Sequence, residues 1–103
     1  PIVSTGYEDP VGTFNTNVMG VVNLLEYFRG SDRVIPILII SSDKCYLNFD
    51  QTSSFKEQDI LGGIDNYSSS KASAEIIFSS YFHSFFKKDN FIRCSWYKCK
   101  EKR

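Results

Sequence analysis

The feature that most constrains the fold is the run VIPILII at residues 34–40, free of charge and followed at once by the polar stretch SSDKCY. A strand buried on both faces reads as continuous Val, Ile and Leu, so this run predicts a central strand of a parallel sheet. In open parallel α/β sheets ligands sit just beyond the carboxyl ends of the strands, which places Ser42, Asp43 and Lys44 where chemistry is expected. The run is far shorter than the roughly 20 apolar residues that span a bilayer, and it is the longest of its kind in the chain.

Helical periodicity flanks it on both sides. Glu8, Asp9 and Pro10 open a segment in which Val18, Val21, Val22, Leu24, Leu25 and Phe28 recur at three- and four-residue spacings, predicting a helix over residues 9–29 that ends at Gly30. A second helix is expected over residues 67–88, where Ala72, Ala74, Ile77, Phe78, Tyr81, Phe82, Phe85 and Phe86 keep helical spacing. Between them, residues 43–65 mix Asn, Asp, Gln and Ser with the pair Gly62-Gly63, too polar for the core and long for a passive connection. A further strand is expected at residues 91–96. The order helix, strand, helix, strand indicates an α/β fold. Two strands cannot cover both faces of two helices, so the chain reads as a piece of a larger domain.

Charge excludes several partners. Twelve basic residues balance twelve acidic ones, leaving no field to draw in nucleic acid or an anionic membrane, so a small polar substrate or a protein partner fits better. No basic-then-apolar segment opens the chain, and Cys45, Cys94 and Cys99 are odd in number, so no disulfide framework is expected and a reducing cytoplasm is the default. Cys94 and Cys99 with His83 match no zinc-ligand spacing, and no metal is expected.

Two sets of side chains can carry chemistry. Tyr67 and Lys71 are four apart on a predicted helix and share a face. An adjacent ammonium favours the phenolate, lowering the tyrosine pKa so that it can take a proton from a substrate hydroxyl; solvated decoration is the alternative. Asp43 and Lys44 place a carboxyl beside an amine, and eliminating water requires one group that gives a proton and one that takes it. To act as base the lysine must be neutral, at a cost of roughly 4 to 5 kcal/mol of desolvation or repulsion by a cation such as Lys71. The alternative is that Ser42 and Asp43 simply turn the chain while Lys44 is solvated.

A strand-end serine followed by a YxxxK helix is the layout of the short-chain dehydrogenase/reductase superfamily. The stretches YEDPVGTFNTNVMGVVNLLE, SSDKCY, FKEQDILGG and YSSSKASAE resemble the CDP-glucose 4,6-dehydratases, extended members of that superfamily acting on nucleotide sugars, over most of residues 7–86. The Asp43-Lys44 pair is similar to this group and differs from the Asp-Glu pair of dTDP-glucose and GDP-mannose dehydratases. The resemblance implies a fragment of a Rossmann-like doubly wound parallel sheet that binds NAD. Residues 1–103 would be its central part, without the N-terminal glycine-rich βαβ unit, for no GxGxxG or GxxGxxG occurs, and without the C-terminal substrate region.

It further implies that Tyr67, helped by Lys71, takes the proton of the sugar 4-hydroxyl while Ser42 hydrogen-bonds that oxygen. Lys44 would remove the C5 proton and Asp43 protonate the departing 6-hydroxyl, giving CDP-4-keto-6-deoxyglucose from CDP-glucose. Tyr67, Lys71 and Asn17 would serve the cofactor side, Asn17 by supporting the lysine. The helices over residues 9–29 and 66–86 would form a homodimer contact, with Phe78, Phe82, Phe85 and Phe86 either facing the partner or packing in the core. The sequence departs from the family's pattern at Leu47, Ile60 and Asn66 and throughout FIRCSWYKCKEKR. The residues alone are expected to be inactive, and the other readings are a related nucleotide-sugar epimerase or dehydratase, or a non-catalytic remnant that keeps the dimer helices.

Overall fold

The computed structural model describes residues 3–32, 35–48 and 54–86. Helix α1 (Val3–Glu8) is followed by Asp9, whose carboxylate accepts from the Gly12 N–H at 2.8 Å and caps α2 (Pro10–Phe14). Pro10 suits the first helical position, where no amide hydrogen is needed. The helical run continues through a π-helical turn, Asn15–Met19, into α3 (Gly20–Arg29), and it stops at Gly30 as the sequence predicts. The expected helix over residues 9–29 is thus present, but wider by a residue per turn at its middle, a device that re-aims side chains and is frequent at functional sites. The second expected helix is α4 (Asn66–Tyr81), extended by another π-helical turn, Phe82–Phe86.

The predicted sheet is not present among the described residues. Among the described residues no strand forms, so the parallel doubly wound architecture expected from VIPILII is overturned and the regular structure is helical. Residues 35–40 still carry a period of two: Ile37 is buried and Ile35 and Ile39 are half-buried, whereas Pro36, Leu38 and Ile40 are exposed. That alternation belongs to an extended chain with one face covered. A strand also needs a neighbour to exchange backbone hydrogen bonds with, and among the described residues none pairs with this segment; Pro36 has no N–H to offer one. The only β-type pairing among the described residues is a single antiparallel bridge between Tyr46 and Leu61, where Leu47 N–H donates to the Ile60 carbonyl (2.8 Å) and Gly62 N–H to the Cys45 carbonyl (2.9 Å). The strand expected at residues 91–96 lies outside the described residues.

Two apolar clusters hold the elements together. In the first, Leu25 of α3, Ile37, Phe78 of α4 and Phe86 are buried, with Val21, Phe28, Ile39, Ile77, Tyr81 and Phe82 around them. Phe78 and Phe86 therefore belong to the chain's own core, while Phe85 remains exposed. The α3–α4 contact is closed at its rim by Tyr81, whose hydroxyl donates to Glu26 at 2.7 Å, and Glu26 in turn accepts from Arg29. The second cluster joins Cys45, Tyr46 and Ala72, with Phe55 and Leu61 packed against it and the Tyr46 and Phe55 rings stacked at 5.1 Å. This smaller cluster positions the candidate site.

Candidate functional site

After residue 40 the chain makes one 3₁₀ turn, Asp43–Cys45. Ser42 caps it: its hydroxyl oxygen accepts from the Lys44 N–H and its hydrogen is donated to Asp43 Oδ1, both at 3.2 Å. The turn is tethered by Cys45, which is fully buried against Ala72 of α4. Because Cys45 points into α4, its neighbours Asp43 and Lys44 stay partly exposed at the same edge. A carboxyl and an amine are thus held beside the helix that carries Tyr67 and Lys71.

That helix is fixed at its N-terminus by two local features and one contact with a distant segment. Asp65 is the cap: its carboxylate accepts from the Ser68 N–H at 2.8 Å and the Ser68 hydroxyl at 2.7 Å. Burial pushes the Asp65 carboxyl up, but the Ser68 and Tyr67 donors outweigh it and hold the group below the ordinary carboxylate value. Gly63 lies so close to the first turn that a Cβ there would overlap Ser68 Cβ and the backbone of Ser68 and Ser69. Asn66, one of the departures noted in the sequence, donates from Nδ2 to the Gly6 carbonyl at 3.0 Å and docks α4 on α1.

Tyr67 and Lys71 share a face, as four-residue spacing requires, with Lys71 Nζ 5.9 Å from the centre of the Tyr67 ring. Both are partly exposed, and among the described residues neither the phenol nor the ammonium makes a hydrogen bond or ion pair. Asn17 lies on the π-helical turn and reaches α4 directly. Its Nδ2 donates at 2.9 Å to Oγ of Ser70, which donates in turn to the Tyr67 carbonyl at 2.7 Å. Asn17 therefore touches the residue before the lysine rather than the lysine itself.

The fold brings four sequence-predicted positions, Ser42, Asp43, Lys44 and Asn17, against the helix of Tyr67 and Lys71, although among the described residues no hydrogen bond links Ser42, Asp43 or Lys44 to Tyr67 or Lys71. Sequence reasoning overlooked Ser70, which is fully buried, and the supports Asp65, Ser68 and Gly63. Their signals were legible: Asp65 followed three residues later by Ser68 is a capping pattern, and a serine three residues after a tyrosine on a helix can bond back to its carbonyl. No group of three metal-ligating side chains occurs among the described residues, and Cys94 and Cys99 lie outside them. No described helix is long and apolar enough to cross a membrane.

Residues 2–95 match the family model described as GDP-mannose 4,6 dehydratase. Over 91 residues, 88% of this chain, the sequence is 41% identical to a CDP-glucose 4,6-dehydratase of Salmonella typhimurium strain LT2, and the match covers 25% of that enzyme. The chain thus spans about a quarter of the length of this relative. With the family model matching most of its 103 residues, the chain belongs to the GDP-mannose 4,6 dehydratase family, whose members are nucleotide-sugar 4,6-dehydratases.

Proposed function

We propose that this chain supplies the proton-transfer groups of a dehydratase that converts CDP-glucose to CDP-4-keto-6-deoxyglucose. The observation that carries the proposal is the seating of the Asp43–Lys44 turn, through Cys45 and Ala72, on the helix that bears Tyr67 and Lys71. The substrate reading is supported by the CDP-glucose relative and by the Asp-Lys pair itself, since an epimerase using the same tyrosine has no need of a second acid and base.

The cofactor of such a reaction is NAD, and the residues present fit its ribose. A phenol and an ammonium on one face, without hydrogen-bond or ion-pair partners among the described residues, are donors of the kind a ribose diol takes up. Tyr67 and Lys71 would hold it, with Asn17 supporting the helix behind them. NAD, when bound, supplies the oxidation at the sugar C4 and its later reversal at C6. Tyr67 takes the proton of the 4-hydroxyl, with Lys71 stabilising the phenolate, and Ser42 hydrogen-bonds the same oxygen. The resulting ketone acidifies the C5 proton, which Lys44 removes. Asp43 protonates the 6-hydroxyl as it leaves as water. No residue here is assigned to the pyrophosphate, because the chain contains no glycine-rich turn of the kind that receives it. For that reason we place residues 1–103 in the middle of a cofactor-binding domain and hold the chain alone to be inactive.

The reading extends to a homodimer through residues 9–29 and 66–86. Leu25 and Phe78 are committed to the chain's own core, so a partner would meet the outward side chains Leu24, Tyr27 and Ile76.

The test is a graft. This chain's residues replace the matching segment of the Salmonella enzyme, and conversion of CDP-glucose is followed together with absorbance of the reduced nicotinamide. Turnover is expected from the graft. In Lys44→Ala, oxidation at C4 should persist while dehydration stops; equal loss of both steps would overturn the role of Lys44, and a folded graft that binds NAD but leaves CDP-glucose untouched would overturn the substrate.

A further inference from the structure

Ser70 sits inside the YxxxK motif and belongs to no role assigned above. It is fully buried, and its hydroxyl uses both of its capacities: it accepts from Asn17 Nδ2 and donates to the Tyr67 carbonyl. In an α-helix that carbonyl is also the acceptor for the Lys71 N–H, four residues on. One peptide oxygen therefore joins the tyrosine, the serine and the lysine, and through the serine it is tied to a separate element, the π-helical turn Asn15–Met19. We propose that Ser70 is a positioning residue, which locks the first turn of α4 to the π-helical turn and so sets the separation of the Tyr67 phenol from the Lys71 ammonium. The inference rests on the dehydratase reading for its catalytic consequence, but not for its geometry.

The alternative is that Ser70 merely fills a polar gap. Two serines on the same helix allow the distinction. Ser73 bonds back to the Ser69 carbonyl, four residues before it, at 2.8 Å, as Ser70 does to the Tyr67 carbonyl three residues before it, but Ser73 makes no hydrogen bond to the π-helical turn. Replacing it removes a back-bond of the same kind and nothing else.

The experiment compares Ser70→Ala with Ser73→Ala at two levels. In the chain itself, the cross-relaxation between the Lys71 side chain and the Tyr67 ring is measured by nuclear magnetic resonance; it should weaken in Ser70→Ala and in Asn17→Ala and stay unchanged in Ser73→Ala. In the grafted enzyme, Ser70→Ala should lower kcat by about 10- to 100-fold, the loss expected of slight misplacement of reacting groups. KM for CDP-glucose should change little, and the Ser70→Ala and Asn17→Ala losses should not add, because either breaks the same tie. Equal behaviour of the Ser70 and Ser73 variants, or a Ser70 effect confined to thermal stability, overturns the proposal. An inactive graft counts against the dehydratase reading, and the Lys71–Tyr67 contact in the chain then decides for or against the present one.

Discussion

Asp65→Ala is the perturbation whose size can be worked most directly from the structure. The side chain caps the helix that presents Tyr67 and Lys71, accepting one backbone and one hydroxyl hydrogen bond from Ser68. Losing an N-terminal cap costs about 0.5–2 kcal/mol, and a second bond to the same carboxylate places this site in the upper half of that range, about 1–2 kcal/mol. With an m value of about 1 kcal/mol/M the urea midpoint, followed by circular dichroism, should fall by about 1–2 M. Asp65→Asn keeps an acceptor for the Ser68 N–H and should lose about half as much. The sign with pH follows from the direction of the shift. The native carboxyl is held below its ordinary value, so its stabilisation is present in full above the unfolded-state pKa and disappears as pH falls through the native one. The gap between the wild-type chain and Asp65→Asn should accordingly be widest near neutrality and close in acid. A midpoint shift in Asp65→Ala below about 0.3 M, or a gap that does not change with pH, would show that the cap does not hold this helix.

Two other expectations concern the supports of the site and the rim of the core. Gly63→Ala should cost about 1–3 kcal/mol, because the added methyl meets the backbone of α4 rather than a flexible side chain, whereas Gly62→Ala, which meets only Leu47 at an ordinary 3.4 Å, should be close to neutral; paired thermal melts decide it. The Tyr81 phenol is raised above its ordinary pKa, first by its hydrogen bond to Glu26, so site-resolved titration should find it above the ordinary tyrosine value and Glu26→Gln should bring it down. The Tyr81–Glu26 contact then contributes below the unfolded tyrosine pKa and is lost as pH rises through the native one.

The sequence by itself determined the two long helices and their apolar stripes. Three- and four-residue spacing places the apolar residues of each helix on one face, the face on which Leu25 and Phe78 are buried, and the first helix stops at Gly30, a poor helix former. The pairing of Tyr67 with Lys71 is likewise a consequence of helix geometry alone. What the tertiary structure decided is everything that depends on a neighbour. Residues 35–40 keep the alternation of an extended chain yet form no strand, because a strand exists only through a second one and the described residues provide none. Asn17 reaches Ser70 across a sequence separation of 53 residues, and no local rule specifies that distance. Asp43 and Lys44 stand at the edge of α4 because Cys45 is buried against Ala72. Local chemistry fixes which face a side chain occupies; only packing between distant segments fixes what that face meets.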